Sequence, residues 1–256
     1  MEPERPEVRM SNQSFAAAPH LSSSQSSVAN TIVIIPAFNE EGAIAQVIRA
    51  IPSDCVSEIV VVDNGSSDAT AAKARGAGAT VLAELERGYG AACLCGIAYA
   101  LEKSSDVIAF LDGDYSDHPE ELPSLLHPIV HENIDLVIGS RMLGQREPGA
   151  MLPQALFGNW LATTLIRVFW GAKFTDLGPF RAIRTSSLTA LQMKDRTFGW
   201  TVEMQVKAAK QKLRCREIPV RYRKRSAGSS KVTGSIKGTF KASYKILFTI
   251  FKHLFI

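Results

Sequence analysis

The sequence has little of what a disulfide-stapled or membrane-spanning protein needs. Only four of its 256 residues are cysteine, and their spacing matches neither a disulfide framework nor a zinc site. We therefore expect a reducing, cytoplasmic setting. No apolar run reaches the roughly 18–20 residues that a membrane-spanning helix requires, so the sequence predicts no such helix.

Residues 1–30 offer few side chains from which a core could form. They are charged at first and then rich in Ser, Gln and Asn, and they lack the apolar centre of a signal peptide. We expect a disordered tail there. The whole chain is 46% hydrophobic and 21% charged, which is typical of a globular protein with one principal domain. We predict this domain at residues 31–235 and a basic amphipathic helix at residues 236–256.

Acidic residues are almost absent from the C-terminal end. Residues 206–256 contain 14 Lys or Arg against the single acid Glu217, whereas residues 1–205 carry a net charge of −9. This asymmetry predicts a polyanionic partner, either nucleic acid, an anionic membrane surface or a phosphorylated substrate. Nucleic acid is disfavoured because no aromatic stacking platform or recognised nucleic-acid motif accompanies the cations.

The C-terminal helix has two possible settings. Its lysines recur at helical spacing on one face, and its aromatic residues lie off that face. The pattern predicts either a helix lying in a membrane interface or a helix docked on the protein core with its lysines outward. The lysines are Lys237, Lys241, Lys245 and Lys252, and the aromatic residues are Phe240, Tyr244, Phe248, Phe251 and Phe255.

From residue 31, short β-branched runs alternate with helical segments. This alternation predicts an α/β fold in which a mostly parallel sheet carries helices on both faces. Strands are predicted at 31–36, 58–63, 80–83, 107–112 and 136–139, with a further short strand within 176–184 and an extended segment at 216–225. Helices are predicted near 40–50, 69–76, 90–103 and 119–127, and then at 151–170 and 200–212.

Polar residues follow three of the predicted strands, at the edge where parallel sheets bind ligands. Asp112-Gly113-Asp114 ends the apolar run of the fourth strand, so two carboxylates lie within reach of one hard cation. Oxygen ligands of this kind suit Mg²⁺ or Mn²⁺ bridging a diphosphate. The other two strands end in Pro36-Ala37-Phe38-Asn39-Glu40 and in Asp63-Asn64-Gly65-Ser66.

Two further segments have the composition of phosphate-binding elements. Gly88 and Gly90 precede a predicted helix, where backbone amides can bind phosphate or sugar, although they also suit simple helix-start punctuation. A dinucleotide fingerprint is excluded because its third glycine would fall at Cys93. Residues 221–231 concentrate cations and hydroxyls around a Gly-Ser core, as a loop that closes over phosphates would.

These motifs together resemble glycosyltransferase family 2, whose members have the GT-A fold. Later segments resemble the branch that contains dolichyl-phosphate mannosyltransferases and polyprenyl-phosphate glycosyltransferases, and the resemblance covers residues 31–235. The family is indicated by Pro36-Ala37-Phe38-Asn39-Glu40, by Val61-Val62-Asp63-Asn64-Gly65-Ser66-Ser67-Asp68, by Gly88-Tyr89-Gly90-Ala91 and by Asp112-Gly113-Asp114. The branch is indicated by Gly139-Ser140-Arg141, by Asp176-Leu177-Gly178-Pro179-Phe180-Arg181, by Glu203 and by Arg225 through Ser230-Lys231.

The resemblance implies roles for particular residues. The pair Asp112 and Asp114 would carry Mg²⁺ or Mn²⁺ on the diphosphate of a GDP- or UDP-hexose donor. Ser116 stands where the mannosyltransferases have a glutamine that helps at the metal. The nucleoside pocket would be lined by Pro36, Ala37, Phe38, Glu40 and Asp63, with Asp63 facing the base, and phosphates would be held by Arg141, Arg225, Ser230 and Lys231.

The residues and the resemblance together predict a metal-dependent hexosyltransferase with a polyprenyl phosphate acceptor, peripheral at the cytoplasmic face of a membrane, and the resemblance implies that the transfer inverts the anomeric centre. A phosphate monoester is already anionic at pH 7, since its second pKa is about 6, and it needs no general base. The catalytic residues of this transferase would be Asp114, Arg141 and Arg225. One alternative is a hydroxyl acceptor activated by Asp176 or Glu203. The other is a basic membrane-surface or nucleic-acid binding module, which leaves the aspartate pair unexplained.

Overall fold

The computed structural model describes residues 29–227 and 236–255, and the side chains of residues 236–242 are outside that description. The described residues form seven strands and eight α-helices. The strands are β1 (Thr31–Ala37), β2 (Glu58–Asp63), β3 (Thr80–Ala83), β4 (Val107–Phe110), β5 (Leu136–Ser140), β6 (Arg181–Arg184) and β7 (Cys215–Pro219). The helices are α1 (Ile44–Ala50), α2 (Thr70–Gly76), α3 (Tyr89–Glu102), α4 (Leu122–His131), α5 (Pro153–Trp170), α6 (Thr185–Leu191), α7 (Trp200–Lys210) and α8 (Ile236–Lys252).

All seven strands belong to one sheet in the order β3-β2-β1-β4-β6-β5-β7. Only β6 runs antiparallel to its neighbours, β4 and β5. The chain builds outward from β1 to β3 and then returns to place β4 on the other side of β1. Because adjacent connections diverge at this point, a crevice opens at the carboxyl ends of β1 and β4.

Helices cover both faces of the sheet, which confirms the predicted α/β fold. Alternate residues of β1 point to opposite faces, so Ile32 and Ile34 join one core and Val33 and Ile35 join the other. The first core is completed by α3, α5, α6, α7 and α8. The second is completed by α1, α2 and α4.

Several element boundaries differ from the predictions for local reasons. The helix expected from residue 40 begins at Ile44, because the carbonyl of Glu40 accepts the backbone N–H groups of Ala43 and Ile44 in a turn. Helix α4 continues past Pro128 to His131, and the proline is buried in the core. Helix α6, over Thr185–Leu191, was not predicted at all.

The C-terminal helix is docked on the rest of the protein. Thr249, Ile250 and His253 are buried, and Ile250 belongs to the core that α5 and α7 also form. The aromatic side chains nevertheless remain exposed, at Tyr244, Phe248, Phe251 and Phe255. The structure therefore shows the docked setting, with Lys252 and these four aromatic residues exposed. Within residues 29–227 and 236–255, no helix has the length and hydropathy to span a bilayer.

Candidate active site

The crevice at the carboxyl ends of the strands contains a cavity of about 810 Å³. Its wall combines carboxylates, cations and apolar side chains. The acids are Glu40, Asp112 and Asp114, and the cations are Arg87, Arg141, Lys224 and Arg225. Apolar and aromatic contributions come from Pro36, Ala37, Phe38, Tyr89, Ala92, Ala150, Met151, Leu152, Ala155, Phe198 and Tyr222.

The loops that follow β1 and β2 are braced against each other. Asn39 adopts φ 55°, and its backbone N–H donates to Ser66 Oγ at 2.9 Å. Its side-chain Oδ1 accepts the Ser67 N–H at 2.8 Å. Asn64 then ties β2 to the next loop, because its Oδ1 accepts the Gly88 N–H at 2.7 Å and its Nδ2 donates to the carbonyl of Glu86 at 2.7 Å. These bonds fix the wall in which four predicted nucleoside-pocket residues lie, namely Pro36, Ala37, Phe38 and Glu40.

Asp63 was predicted to line the same pocket and to face the base, and that role stays a prediction. It ends β2, and its carboxylate Oδ1 accepts the Ser66 N–H at 3.1 Å. The cavity wall as formed by the described residues includes its neighbour Asn64 instead.

Asp112 and Asp114 lie in the loop after β4, in the cavity wall. Asp114 is held in place because its Oδ1 accepts both the backbone N–H of Ser116 at 2.9 Å and the Ser116 hydroxyl at 2.5 Å. Burial, followed by the nearby charge of Asp114, raises the pKa of Asp112 to about 7. Two carboxylates crowded in this way attract a cation.

A third carboxylate, Asp117, lies behind the pair. It is buried, its Oδ1 has no hydrogen-bond partner in the described structure, and its Oδ2 accepts the Asp112 N–H at 3.4 Å. Burial and then the charges of Asp112 and Asp114 raise its pKa well above the ordinary value. Asp117 does not line the cavity, so it acts on the pair from behind.

Arg225 spans two of the cavity's acids. Its Nη1 lies 2.7 Å from Asp114 Oδ2, and its Nη2 lies 2.5 Å from Glu40 Oε1. Its Nε is buried without a hydrogen-bond partner among residues 29–227 and 236–255. The guanidinium therefore lies between Asp114 and Glu40, and the phosphate-binding role that the resemblance implied for Arg225 stays a prediction. Ser230 and Lys231, predicted to act with it, lie outside the described residues.

Arg141 pairs with Asp176, a residue that the sequence suggested as a general base. Its Nε and Nη2 donate to the two oxygens of Asp176 at 2.8 and 2.7 Å, and its guanidinium lies 5.1 Å from the ring centre of Tyr222. Burial alone would raise the pKa of Asp176, but Arg141 outweighs it and holds that pKa below its ordinary value. Only Nη1 of Arg141 lacks a hydrogen-bond partner in the described part of the chain, so a phosphate would be bound through that nitrogen.

The two carboxylates proposed as general bases for a hydroxyl acceptor both bind other groups of the protein, away from the cavity. Asp176 is fully buried against Arg141. Glu203 is buried too, where it accepts the backbone N–H groups of Lys194 and Asp195 and pairs with Lys207 at 2.8 Å. Neither side chain lines the cavity.

The glycines before α3 serve packing rather than phosphate binding. The Gly90 N–H donates to the Thr197 carbonyl at 3.2 Å and the Ala91 N–H to the Arg196 carbonyl at 2.9 Å. A Cβ on Gly88 would lie only 2.0 Å from the Arg196 carbonyl oxygen. The close passage of this loop explains the glycines, and it leaves these amides unavailable to a ligand.

The cavity fits a divalent metal shared with a substrate. Asp112 and Asp114 supply carboxylate oxygens, the donors that Mg²⁺ and Mn²⁺ prefer. In residues 29–227 and 236–255, no three His, Cys, Asp or Glu side chains are grouped as a complete metal site. Mg²⁺ commonly uses one or two carboxylates together with substrate phosphates and water, and that arrangement matches this donor set.

Sequence reasoning missed part of the wall. Arg87 lies 4.0 Å over the Phe38 ring, and Tyr89, which opens α3, packs edge-on against Trp200 at 6.1 Å. Both flank glycines that drew attention for another reason. The turn before α5 adds Met151 and Leu152, and no sequence signal pointed to them because an apolar helix start looks like core.

Comparison with known proteins agrees with this geometry. The family model described as "Glycosyl transferase family 2" matches residues 32–191. An uncharacterized glycosyltransferase of Mycobacterium tuberculosis is 34% identical over 212 residues, which cover 82% of this chain and 93% of the relative. The undecaprenyl-phosphate mannosyltransferase of Micrococcus luteus is 31% identical over 225 residues, which cover 81% of this chain and 89% of the relative.

A solved structure has the same fold. Glucosyl-3-phosphoglycerate synthase of Mycobacterium tuberculosis superposes with a TM-score of 0.72 at 22% identity, covering 89% of this chain and 80% of that one. Fold, strand-end carboxylates and family match converge, and the chain belongs to glycosyltransferase family 2, as an enzyme with the GT-A fold.

Proposed function

We propose that this glycosyltransferase transfers a hexose, with inversion, from a GDP- or UDP-sugar to a polyprenyl phosphate at the cytoplasmic face of a membrane. One observation carries the proposal: a single cavity joins a carboxylate pair, a wall of cations and an apolar rim. The apolar rim consists of Met151, Leu152 and Ala155. These three parts match the diphosphate–metal group of the donor, the phosphate of the acceptor and its hydrocarbon chain.

The carboxylate pair supports a metal-bound nucleotide sugar as the donor. Asp112 and Asp114 are placed to share Mg²⁺ or Mn²⁺ with a diphosphate. The glucosyl-3-phosphoglycerate synthase that shares this fold was solved with Mn²⁺ and UDP-glucose. Phe38, with Arg87 stacked on it at 4.0 Å, offers an aromatic surface for the nucleoside base.

The cations support a phosphate as the acceptor. Arg141, Lys224 and Arg225 lie in the same wall, and two phosphate-bearing substrates would repel each other without such charges. The phosphate monoester is ionised at pH 7, because its second pKa is about 6. It therefore needs orientation rather than a base, which agrees with the burial of Asp176 and Glu203 outside the cavity.

The apolar rim supports a lipid chain on that phosphate. Met151, Leu152 and Ala155 enter the cavity from the start of α5, where a small polar acceptor would need no apolar contact. The relative from Micrococcus luteus is named for undecaprenyl phosphate. The basic helix α8, with its exposed aromatic side chains, would bring the enzyme to the surface that contains the lipid.

In the proposed reaction, a phosphate oxygen of the acceptor attacks the anomeric carbon as the bond to the nucleotide diphosphate breaks. The nucleophile enters opposite the departing diphosphate, so the anomeric centre inverts. A bound metal would stabilise the negative charge on the leaving diphosphate. Arg225 and the free Nη1 of Arg141 would hold the attacking phosphate in line and offset its charge.

Two other acceptors compete with this proposal. A sugar or alcohol hydroxyl would require a base, and the two carboxylates proposed for that role do not reach the cavity. A small phosphorylated acid would also be attracted by these cations, and the synthase of Mycobacterium tuberculosis that shares this fold was solved with phosphoglyceric acid. The apolar rim favours the lipid over the small acid.

The test is an acceptor competition with purified protein and Mn²⁺. Labelled UDP- and GDP-hexoses are supplied with a short-chain polyprenyl phosphate or with phosphoglyceric acid, and products are separated by solvent extraction. We expect a labelled product in the organic phase with at least one donor. A product formed on phosphoglyceric acid and none on the lipid would refute the proposal.

A further inference from the structure

Helix α5 exposes large apolar side chains on the protein surface. Phe157 is 61% exposed, Trp160 57% and Val168 70%. Phe157 and Trp160 lie together, with ring centres 5.7 Å apart. A contiguous exposed apolar patch on a single chain usually marks an interaction surface.

The patch continues onto α8. Phe169 at the end of α5 meets Phe251 of α8, with ring centres 6.0 Å apart. Phe248 of α8 is 46% exposed and stacks with Tyr244 at 6.1 Å. We call the exposed apolar side chains of these two helices the α5–α8 surface. Its members are Phe157, Trp160, Val168, Phe169, Tyr244, Phe248 and Phe251.

The segments that form the α5–α8 surface contain charges of one sign. Residues 152–174 and 236–256 contain no Asp or Glu. Exposed cations stand at its margins, at Arg167, Lys173 and Lys252. Aromatic side chains bordered by cations are complementary to an anionic lipid bilayer, where rings enter the interface and cations meet head groups.

Leu152 links α5 to the cavity, because it lines the cavity and is also 39% exposed on the protein surface. Met151, Leu152 and Ala155 line the cavity at the start of α5, and Phe157 and Trp160 follow within the next two turns. A bilayer lying on α5 would therefore lie at the cavity's apolar rim. This is where the hydrocarbon chain of a membrane lipid would have to leave a phosphate bound inside.

We infer that α5, together with α8, docks the enzyme on an anionic bilayer and so places the apolar rim of the cavity at the lipid surface. The inference rests on the proposed function for its purpose, since a lipid acceptor gives the docking a reason. Its structural evidence is the α5–α8 surface. The C-terminal helix alone is then insufficient for full membrane binding.

Vesicle flotation of the full chain tests α5 directly. The probes are vesicles of equimolar phosphatidylcholine and phosphatidylglycerol, with pure phosphatidylcholine for comparison. The double variant Phe157→Ser/Trp160→Ser should bind the anionic vesicles about tenfold more weakly than the wild type, because it removes two apolar side chains from the interface. The matched control Leu101→Ser/Val130→Ser removes exposed apolar side chains from α3 and α4, and it should bind as the wild type does.

A second variant keeps the test valid if the first one folds poorly. Arg167→Glu/Lys173→Glu reverses two exposed charges and removes no aromatic contact, so it should weaken anionic binding and reduce its sensitivity to salt. Wild-type vesicle binding by either folded double variant would overturn the inference. A wild-type dimer that the Phe157/Trp160 variant converts to a monomer would also overturn it, because the occupant would then be a second copy.

The failure of this inference is distinguishable from the failure of the proposed function. Transfer to short-chain polyprenyl phosphate in detergent micelles reports the acceptor without a bilayer. Lipid product in detergent with unchanged vesicle binding by the α5 variants would overturn the docking role alone. Lost vesicle binding without lipid product under any condition would leave the α5–α8 surface in place and refute the proposed acceptor.

Discussion

Arg225 is the residue whose surroundings say most about catalysis. It lies between Asp114 and Glu40, with contacts of 2.7 and 2.5 Å, and the cavity wall continues on either side of it. A guanidinium in this place can offset the charge of a phosphate that arrives next to the aspartates. Its planar fork also fixes the direction from which an oxygen approaches.

Replacing Arg225 with Ala should therefore reduce kcat by ~100-fold, the order seen when a charge-stabilising donor is removed. Binding of free nucleotide, measured by calorimetry, should weaken much less. Arg225→Lys should recover only part of the rate, because an ammonium keeps the charge and loses the fork. The control is Arg221→Ala, an exposed arginine paired with Glu121 at 2.6 Å outside the cavity, which should keep near wild-type turnover. Loss of nucleotide binding with unchanged kcat would contradict this role.

Asp114 should be indispensable for transfer. Asp114→Asn keeps an oxygen for Ser116 and removes the charge that pairs with Arg225 and that would bind the proposed metal. We expect activity to fall by about a hundredfold or more, with the protein still folded by circular dichroism. Withdrawal of metal by EDTA should reproduce the loss in the wild type. Near wild-type turnover of the variant with Mn²⁺ or Mg²⁺ would refute the metal assignment.

Asp112 should lower the free energy of unfolding of the metal-free protein, although transfer requires it. Its folded-state pKa of about 7 lies above the unfolded value, so its ionised form destabilises the metal-free fold fully above pH 7 and progressively less as the pH falls. Asp112→Asn should then raise the free energy of unfolding at pH 8 by roughly 1–3 kcal/mol, while abolishing transfer. The gain should shrink at pH 5. A variant less stable than wild type at pH 8 in EDTA would contradict the crowding of these carboxylates.

Residue-scale prediction from sequence succeeded where a residue follows a strand and failed where its partner is distant. The positions of Asp112 and Asp114 follow from the apolar run before them. Arg141 pairs with Asp176, 35 residues away in sequence. No local sequence pattern could therefore show that Asp176 holds Arg141 in place rather than acting as a general base. The role of Asp63 at the base stays a prediction, since Asp63 ends β2 next to the wall residue Asn64.

At the scale of elements, the buried strands were the easiest to predict. β1 is apolar at every position up to Pro36 except Thr31, as a strand covered on both faces must be. Helix α6 was missed because four of its seven residues are Thr or Ser, which have low helix propensity. The setting of α8 could not be read from its amphipathic pattern, since Ile250 packs inward while the aromatic residues that looked like core remain exposed.

Helix α8 also holds a loop of the cavity wall. Lys245 Nζ lies 3.0 Å from Asp195 Oδ2, and Asp195 Oδ1 accepts the Thr197 N–H at 2.8 Å. Thr197 and Phe198 line the cavity, and the loop lies directly against Gly88. The position of this wall therefore depends on an ion pair with the C-terminal helix.

Lys245→Met should destabilise the protein by roughly 1–2 kcal/mol, since it leaves the buried Asp195 carboxylate without its cation, and it should lower kcat/KM through the displaced loop. Lys245→Arg should restore both. The matched control is Lys252→Met, two helical turns further along α8 and without an ion pair among the described residues, which should change stability by less than about 0.5 kcal/mol. Thermal melts and transfer assays check each variant. Equal effects of the two methionine variants would contradict the role of the ion pair.

At the scale of the whole molecule, the topology brings separate signals to one place. The divergence of connections on either side of β1 opens the crevice, and the loops after β1, β4, β5 and β7 bring acids and cations to it. Helix α5 then leads from the crevice to an exposed apolar surface. The sequence predicted the fold class and the acidic edge. It could not predict the apolar rim, because that depends on how α5 lies against the sheet.

The central claim is that the acceptor is a phosphate attached to a long hydrocarbon chain. The most direct measurement compares kcat/KM for a polyprenyl phosphate and for the polyprenol of the same chain length, with one labelled nucleotide sugar, Mn²⁺ and detergent held constant. The account predicts transfer to the phosphate, with a sugar–phosphate linkage in the product, and no transfer to the alcohol. Comparable transfer to the alcohol would contradict it, because the cavity's cations would then have no acceptor phosphate to bind.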